Sequence, residues 1–381
     1  MTVKVLFYVQ HLWGVGHVYR ATRIAKGLLD AGMEVHLIWG GTKLPGFDFT
    51  GLKVHYLQPV RTSDVSFSTL LHANGDVFSD ADKTRRKDDL LSLFDEIAPQ
   101  VLITEAFPFG RRQMRFELQP LLDRAAKADP KPLLVSSIRD IMQEGRKLSR
   151  VEESNSLINE FFDLVLVHGD EALVPISDTL QGTETFQSKI RYTGLVVPEV
   201  TRSFEAAKKT NVLVSVGGGA FGKQLVYAAL EANTLCKTLQ EKWLLTTGTE
   251  MPEAEYLKVK EMAPSNITIV RHVPDLVSHL SATKISVSHS GYNTVGDILQ
   301  AKCRAVLFPY TDGQETEQLR RARLMQDKGL AICIEPDAFS AITLAKAIDS
   351  AAQMPTMDHG IAMDGARRSG EIISTALKEL K

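Results

Sequence analysis

The stretch SHSGYNTVGD, residues 288–297, is the part of the chain that says most about fold and function. It follows an apolar run over residues 284–287 and precedes a helical pattern over 295–302, which predicts a strand, a Ser-Gly turn and a helix start. The first turn of a helix offers backbone N–H groups and the positive end of the helix dipole. We therefore expect an anion site here, with Asp297 one turn further into the helix.

Length and composition restrict the class of protein. The 381 residues suit two domains, and 44 basic against 46 acidic residues give no sign of a nucleic-acid partner. The three cysteines lack the paired spacing of a disulfide framework or a zinc site. No run approaches the roughly 20 apolar residues of a membrane helix. We expect a globular protein of the reducing cytoplasm.

Apolar runs alternate with helical patterns along the chain, which predicts parallel sheets covered by helices. One series of predicted strands ends near residue 193, and a second begins near residue 212. We predict an α/β fold of two doubly wound, Rossmann-like domains that face a central cleft. The predicted boundaries are residues 1–203 for an N-terminal acceptor-binding domain, 204–361 for a C-terminal donor-binding domain, and 362–381 for a helix that packs back on the first domain.

The first glycine-rich loop, HLWGVGH over residues 11–17, follows the first predicted strand. Gly14 and Gly16 would let the backbone approach a ligand closely. His17 stands at the entrance of the next helix, and its neutral imidazole suits general-base work. A tight turn with a solvated His17 is the alternative interpretation.

The second glycine-rich loop, SVGGGAFG over residues 215–222, matches the GxGxxG pattern of dinucleotide sites. The next predicted strand, however, ends in Gly248-Thr249, where an acidic residue should bind the adenine ribose. We interpret the loop as a turn for a diphosphate or a sugar, and an NAD-dependent oxidoreductase stays as an alternative.

Three segments follow strands of the second series and should therefore meet at one sheet edge. They are RHVP over residues 271–274, the 288–297 stretch, and PYTDGQETEQ over 309–318. Together they indicate a nucleotide-sugar site. They combine a backbone anion site, a carboxylate for ribose hydroxyls, and an acid-amide run for a polyhydroxylated group.

In these segments the chain resembles the donor half of GT-B glycosyltransferases. The resemblance rests on HSGYNTVGDIL, on GGGAFG before it, and on PYTDGQETEQLRRARLMQDKG after it. It is strongest to glycosyltransferase family 28, typified by the peptidoglycan lipid-intermediate N-acetylglucosaminyltransferases. The plant and macrolide glycosyltransferase signature is similar too. The first domain matches only through its glycine loop and His17.

The resemblance implies a donor site in which backbone amides do most of the diphosphate binding. Its residues would be Gly218 and Gly219 beside the sugar diphosphate, Val273 against the base, Ser290, Gly291, Asn293 and Thr294 around the diphosphate, Asp297 on the ribose, and Glu317 and Gln318 on the sugar hydroxyls. Asp297 stands where the family usually has Glu, and Glu317-Gln318 replaces two amides or Asp-Gln.

The resemblance also implies direct displacement at the anomeric carbon, with inversion, by an acceptor hydroxyl. His17 is the expected base, and Glu105 and Asp140, at the ends of predicted strands, are alternatives that would otherwise be loop or capping carboxylates. The helix dipole and backbone amides would stabilise the departing diphosphate, so we expect no metal and no other cofactor. The expected donor is a nucleoside-diphosphate hexose, with uridine as its base.

The acceptor side is assigned to Gly14, Gly16, Glu105 and Arg111. Arg111, with two further arginines, follows the apolar segment Phe107-Pro-Phe109, which we expect to be exposed. This pattern predicts contact with an acceptor or with a membrane surface, and hence a peripheral membrane location. The acceptor itself, whether saccharide, lipid-linked or small molecule, is not identified.

Two other functions fit the same motifs. A nucleotide-sugar hydrolase would use water as the acceptor, and a non-catalytic nucleotide-sugar sensor would bind without turnover. Asp80-Ala-Asp82 matches the DxD metal motif of another glycosyltransferase fold, but its place before a helix predicts an N-terminal cap.

Overall fold

The computed structural model describes residues 2–12, 16–44, 46–62, 69–143, 145, 147–198, 209–216, 222–311 and 316–379. The chain divides into two compact units. The first unit comprises Met1–Met142, Arg146–Val196 and Ala362–Lys381, and the second comprises Gln143–Gly145 and Val197–Ile361. Each unit contains a parallel sheet with helices packed on it, so the predicted Rossmann-like fold class is confirmed.

The first unit is built on a seven-stranded parallel sheet. Its strands are β1 (Lys4–Val9), β2 (Glu34–Trp39), β3 (Lys53–Tyr56), β6 (Val101–Glu105), β7 (Leu133–Arg139), β8 (Leu164–His168) and β9 (Ile190–Tyr192), and a separate antiparallel pair is formed by β4 (Arg61–Thr62) and β5 (Leu70–Leu71). The spatial order is β3-β2-β1-β6-β7-β8-β9. The interiors of β1, β2, β6 and β8 are buried throughout, which explains why their sequences are largely apolar.

Five helices belong to this unit. They are α1 (Gly16–Asp30), α2 (Asp80–Ile97), α3 (Arg115–Ala126), α4 (Leu148–Phe161) and α11 (Gly365–Glu379). The prediction that Asp80-Ala-Asp82 forms a helix cap is confirmed, because Ser79 and Asp82 make a capping box at the start of α2. The antiparallel β4-β5 pair was not among the strands expected from the sequence pattern.

Helix α11 comes from the end of the chain and packs on α1. A Cβ added to Gly27 would overlap the backbone carbonyl of Ala366, and Gly370 lies against Gly27 in the same way. The two glycines therefore allow the helix backbones to approach closely. Ile373 on α11 is fully buried in the core under α1.

The second unit is built on a six-stranded parallel sheet in the order β12-β11-β10-β13-β14-β15. The strands are β10 (Thr210–Ser215), β11 (Trp243–Thr246), β12 (Ile267–Val270), β13 (Thr283–Ser288), β14 (Arg304–Leu307) and β15 (Ala331–Cys333), and the helices are α5 (Lys223–Leu235), α6 (Glu253–Met262), α7 (Leu276–Ser281), α8 (Tyr292–Ala301), α9 (Glu317–Asp327) and α10 (Ala341–Ala351).

Strand order reverses once in each sheet, between β1 and β6 and between β10 and β13. In open parallel sheets, ligands bind outside the carboxyl ends of the strands at such a reversal. The loops at the two reversals follow Val9 and Glu105 in the first unit, and Ser215 and Ser288 in the second. Most of the predicted site residues follow these four strand ends in sequence, whereas Val273 follows β12, and Glu317 and Gln318 follow β14.

No helix in the described part of the chain is both long enough and apolar enough for a bilayer crossing.

Candidate functional sites

A histidine and a carboxylate meet at the strand reversal of the first unit. His17 is the second residue of α1, Glu105 is the last residue of β6, and His17 Nδ1 lies 2.8 Å from Glu105 Oε1. A carboxylate only accepts, so the Nδ1–H donates to Glu105 and the lone pair of the neutral ring is on Nε2. This is the tautomer and orientation that a general base requires.

Arg20 also contacts Glu105. Its guanidinium forms an ion pair with Glu105, and Arg20 Nη2 also lies 3.2 Å from His17 Nδ1. Because Nδ1–H and Nη2–H are both donors, Arg20 serves the carboxylate and not the ring. The Glu105 side chain is fully buried, whereas 26% of the His17 side chain is exposed. Ligands can therefore reach the histidine but not the carboxylate that orients it.

The protonation states fit this arrangement. Burial lowers the pKa of His17 to about 4, Glu105 opposes the shift, and Arg111 and Arg20 add to it. Burial alone would raise the pKa of Glu105, but His17 and the guanidiniums of Arg20 and Arg111 lower this pKa to about 2. At neutral pH the pair is thus a neutral imidazole hydrogen-bonded to a carboxylate.

Arg111 lies in the loop after β6, and its surroundings differ from those predicted. The segment expected to be exposed is buried, with Phe107 at 1% and Phe109 at 5% exposure, because both rings enter the core of the first unit. Its neighbours Arg112 and Arg115 form ion pairs with Glu153 of α4. The prediction that the Phe107-Pro-Phe109 segment is exposed is therefore wrong.

The guanidinium of Arg111 is itself inside the protein. Its Nε and Nη2 atoms are buried and, within the described residues, have no hydrogen-bond acceptor. Arg111 lowers the pKa of both His17 and Glu105, so its charge acts at the histidine-carboxylate pair. Among the described residues, Arg111 is the predicted acceptor-side residue whose hydrogen-bond donors lack an acceptor.

The other first-unit candidates have structural contacts. Asp140, considered as an alternative base, is 1% exposed and accepts a hydrogen bond from the Ile141 amide at 2.9 Å. His11 is buried, and its Nε2 donates to the Thr42 carbonyl at 2.9 Å. Gly16 is the first residue of α1, and Gly14 lies outside the described residues.

The second-unit site begins at the amino end of α8, directly after β13. Gly291 is the N-cap residue, with no side-chain cap, and a Cβ added to it would have open space around it. Asn293 and Thr294 are half-buried in the first turn. Asp297 lies one turn further along the same helix and is 9% exposed. The helix thus begins at a glycine with open space around it and has a carboxylate one turn further along; that this turn binds an anion stays a prediction.

Ser290 and the start of α9 are hydrogen-bonded to one another. Ser290 is fully buried, and its hydroxyl donates to the Gln318 carbonyl at 2.7 Å. The Gln318 side-chain Oε1 accepts from the Tyr310 amide at 3.1 Å, which leaves the Nε2 donors of its amide group. Glu317 is 4% exposed and pairs with Arg321. Of the two predicted sugar contacts, Gln318 is therefore the better placed.

Val273 is half-buried in the loop after β12. Gly218 and Gly219 lie outside the described residues, as does the segment 312–315. Gly222, the last glycine of the GxGxxG pattern, precedes α5, and a Cβ there would overlap the side chain of Val216. This glycine is thus needed for close packing of the helix against the strand end.

Comparisons with known proteins agree with the fold and the second-unit site. Residues 212–368 match the model of the glycosyltransferase family 28 C-terminal domain. Residues 212–368 therefore resemble a family 28 C-terminal domain. The predicted resemblance is confirmed, and it is carried by the part of the chain in which the sequence motifs are strongest.

The chain has curated relatives of low identity. One, from Exiguobacterium sp., is a UDP-N-acetylglucosamine–N-acetylmuramyl-(pentapeptide) pyrophosphoryl-undecaprenol N-acetylglucosamine transferase; it is 25% identical over 188 residues, or 49% of each chain. The chain thus spans about half the length of this relative. An uncharacterized glycosyltransferase of Methanosarcina mazei is 22% identical over 335 residues, which is 83% of this chain and 82% of that one.

Solved structures show the same fold across the whole chain. The kitacinnamycin glycosyltransferase has a TM-score of 0.65 at 14% identity and covers 100% of both chains. MurG from Acinetobacter baumannii has a TM-score of 0.60 at 15% identity and covers 99% of both chains.

Two residues of the second-unit site were missed by the sequence analysis. Arg321 is 2% exposed, donates to the Ser290 carbonyl at 3.2 Å, and pairs with Glu317 at 2.7 Å. It lies one turn after Glu317 in an arginine-rich helix, so its sequence context gave no signal. His289 donates from Nδ1 to the Phe308 carbonyl at 2.7 Å, which puts the acceptor lone pair on Nε2. It lies inside the 288–297 stretch and could have been singled out there.

Proposed function

We propose that this chain is a GT-B glycosyltransferase that moves a hexose-type sugar from a nucleoside diphosphate, with uridine as the base, to a hydroxyl of an acceptor. The proposal assigns donor binding to the second unit and acceptor activation to the first. It further holds that the sugar is transferred with inversion and without a metal or another cofactor.

The observation that carries the proposal is the His17-Glu105 pair. The carboxylate fixes the Nδ1–H tautomer, so His17 Nε2 can take the proton of an acceptor hydroxyl as the hydroxyl oxygen attacks the anomeric carbon. The imidazolium that forms is stabilised by the Glu105 charge. One base and one attacking hydroxyl make a single displacement, and a single displacement inverts the anomeric centre.

The donor assignment is supported by α8 and its surroundings. The first-turn amides and the positive end of the helix can bind a diphosphate, and they can stabilise it as the leaving group. Asp297 can accept hydrogen bonds from ribose hydroxyls, and the Gln318 amide can donate to a sugar hydroxyl. Ser290 supports the site through its buried hydrogen bond to α9. The printed names of the Exiguobacterium relative and of a structural neighbour solved with UDP favour uridine as the base.

The test combines binding and turnover. The purified chain is screened by thermal unfolding against nucleoside diphosphates, and the melting temperature should rise most with uridine diphosphate. Turnover with uridine-diphosphate hexoses and a panel of hydroxyl acceptors is then followed with and without chelator, and NMR of the product reports the anomeric configuration. His17→Ala should lower kcat by about 10² to 10⁴. His55→Ala, on the edge strand β3, is the matched control and should retain activity.

Each alternative has its own result. Free sugar formed at full rate without acceptor would identify a hydrolase. Binding of uridine diphosphate without any turnover would indicate a sensor, and a response to NAD alone would indicate an oxidoreductase. Equal activity of His17→Ala and the parent would remove His17 from the mechanism.

We also propose a cytoplasmic location with peripheral contact to the membrane. The support is the resemblance to a relative whose printed name includes a lipid, pyrophosphoryl-undecaprenol. Fractionation of cells expressing the chain, with a salt wash of the membranes, tests this: recovery only in the soluble fraction at low salt would contradict it.

A further inference from the structure

The guanidinium of Arg111 has two hydrogen-bond donors without an acceptor among the described residues. The side-on edge of a guanidinium, made of Nε and Nη2, is the edge that binds a carboxylate or phosphate through two parallel hydrogen bonds. In Arg111 these two buried nitrogens have no acceptor among the described residues. Leaving such charged donors unsatisfied is costly, so a missing partner is expected at this edge.

The partner is not supplied by the nearby carboxylate. Glu105 directs Oε1 to His17 and Arg20, and its Oε2 is buried without a hydrogen-bond partner. Arg111 acts on Glu105 through its charge, but no hydrogen bond joins them. Arg139, the last residue of β7, also acts on Arg111 through its charge. Two guanidiniums, those of Arg20 and Arg111, and His17 thus act on one carboxylate.

The backbone holds Arg111 in this position. Its φ is 57°, in the left-handed region that non-glycine residues seldom adopt. Its carbonyl accepts from the Met114 amide at 2.8 Å, which fixes the turn into α3. Such strain of about 1–3 kcal/mol persists where the surroundings enforce it, often at ligand sites.

We propose that the Nε-Nη2 edge of Arg111 binds an oxyanion, a phosphate or a carboxylate, that belongs to the acceptor. This inference rests on the proposed function, since it adds a substrate class to the acceptor-activating unit. Acceptors that carry such a group next to the reacting hydroxyl are preferred over neutral ones.

An oxyanion bound at Arg111 would also raise the basicity of His17. Arg111 lowers the pKa of His17, so an anion paired with Arg111 offsets that effect and makes His17 a stronger base only when the acceptor is bound. The groups around the His17 ring that share in this balance are Glu105, Arg20 and Arg111.

The first test is binding and does not need turnover. Inorganic phosphate is titrated into the full chain, labelled for NMR and saturated with uridine diphosphate, with sodium chloride matched for ionic strength. We expect the amides of Arg111 and its neighbours to shift in a saturable way, and the pKa of His17 to rise. Arg111→Gln should weaken phosphate binding at least about tenfold, because a charge-assisted bidentate pair is lost.

Arg112→Gln is the matched control. It makes the same charge change at the next residue, whose side chain is 54% exposed and paired with Glu153, and it should bind phosphate as the parent does. If Arg111→Gln does not fold, the shifts in the parent chain decide. Three results would overturn the proposal. They are the absence of a saturable shift at Arg111, an equal loss of phosphate affinity in both variants, and binding of an adventitious ion only, with no effect on the pKa of His17.

The second test identifies the source of the oxyanion. Sedimentation with phosphatidylglycerol vesicles, compared with phosphatidylcholine vesicles, tests a lipid phosphate, and acetate and sugar phosphates test soluble groups. In transfer assays, Arg111→Gln should raise KM about tenfold for anionic acceptors only, with kcat changed less. If no donor is turned over but phosphate binds at Arg111, the proposed function fails and the oxyanion site is supported. If sugar transfer occurs and Arg111→Gln changes neither phosphate binding nor KM, the proposed function is supported and the oxyanion site fails.

Discussion

At the scale of single residues, the main result is that two side chains predicted separately, His17 and Glu105, are hydrogen-bonded to each other. His17 and Glu105 are 88 residues apart in sequence, and the sequence analysis treated them as competing bases. The structure joins them through Nδ1 and adds Arg20 behind them. Sequence motifs identified each side chain by the strand or helix end it occupies, but the hydrogen bond depends on side-chain rotamers that no pattern contains.

Replacing the carboxylate tests this arrangement. We expect Glu105→Gln to lower kcat about 100-fold, because the amide no longer stabilises the imidazolium with a negative charge. In the parent chain, kcat should fall as the pH drops through about 4, where His17 becomes protonated. Glu105 raises the pKa of His17, so the acid limb should move to lower pH in the variant. Rates are measured in single turnover within seconds of a pH jump.

Asp140→Asn is the control, since Asp140 is a buried carboxylate at the end of the neighbouring strand. A role of Glu105 in folding alone would reduce the amount of active protein without moving the acid limb. A large loss in Asp140→Asn with none in Glu105→Gln would show that the base is wrongly assigned.

The same protonation states predict how stability depends on pH. Burial lowers the pKa of His17 to about 4 and of His168 to about 3, so both are neutral in the folded chain. Their contribution is complete above the unfolded value of about 6.5 and is lost as the pH falls towards the folded values. We expect the first unit to lose on the order of 2 kcal/mol between pH 7 and pH 5.

Hydrogen exchange of the amides in β6, β7 and β8 measures this loss in the first unit alone. In His168→Asn part of the loss should disappear, because the titrating group is gone. Equal protection at pH 7 and pH 5, after correction for the intrinsic exchange rate at each pH, would contradict the assigned states.

At the scale of secondary structure elements, two helix starts in the second unit use glycine for different reasons. Gly222 precedes α5 where a side chain would overlap Val216, whereas Gly291 precedes α8 where a side chain would meet open space. The sequence shows both glycines in motifs of the same kind. Only the packing distinguishes them: Gly222 is needed for close contact between helix and strand, whereas Gly291 leaves space at the helix start in which a ligand could bind.

The two glycines should therefore respond differently to alanine. We expect Gly222→Ala to destabilise the second unit by about 1–3 kcal/mol through overpacking. Gly291→Ala should leave stability within about 1 kcal/mol of the parent, because its backbone has an ordinary φ of −64°. Its methyl group should nevertheless weaken uridine diphosphate binding. Thermal unfolding and ligand titration of both variants separate the effects, and unchanged binding by Gly291→Ala would count against the α8 site.

At the scale of the whole molecule, the first unit is assembled from both ends of the chain. Residues 362–381 return to it after the whole second unit, and α11 packs on α1, the helix that carries His17. Strand and helix patterns predicted the two sheets well, because buried parallel strands and amphipathic helices have strong periodicity. The buried Arg321 network and the buried Phe107-Phe109 segment were not predictable, because each depends on contacts between residues far apart in sequence.

A substitution near the carboxyl terminus should therefore weaken the unit that holds the amino terminus. We expect Ile373→Ala, which empties a fully buried site, to destabilise the first unit by about 2–5 kcal/mol. Thr375→Ala, exposed on the same helix, is the control and should change stability little. Hydrogen exchange resolved by unit measures the outcome: loss of protection in the second unit instead of the first would contradict the assignment of α11.

The return of α11 also has a consequence for synthesis on the ribosome. Domains are generally completed in the order in which they are made, the amino-terminal one first. Here the sheet of the first unit is made early, but α11 is translated only after the whole second unit. The second unit can therefore finish folding while the first still exposes the apolar face of α1 around Ile24 and Leu28, and a nascent chain at that stage is a substrate for chaperones that bind apolar surface.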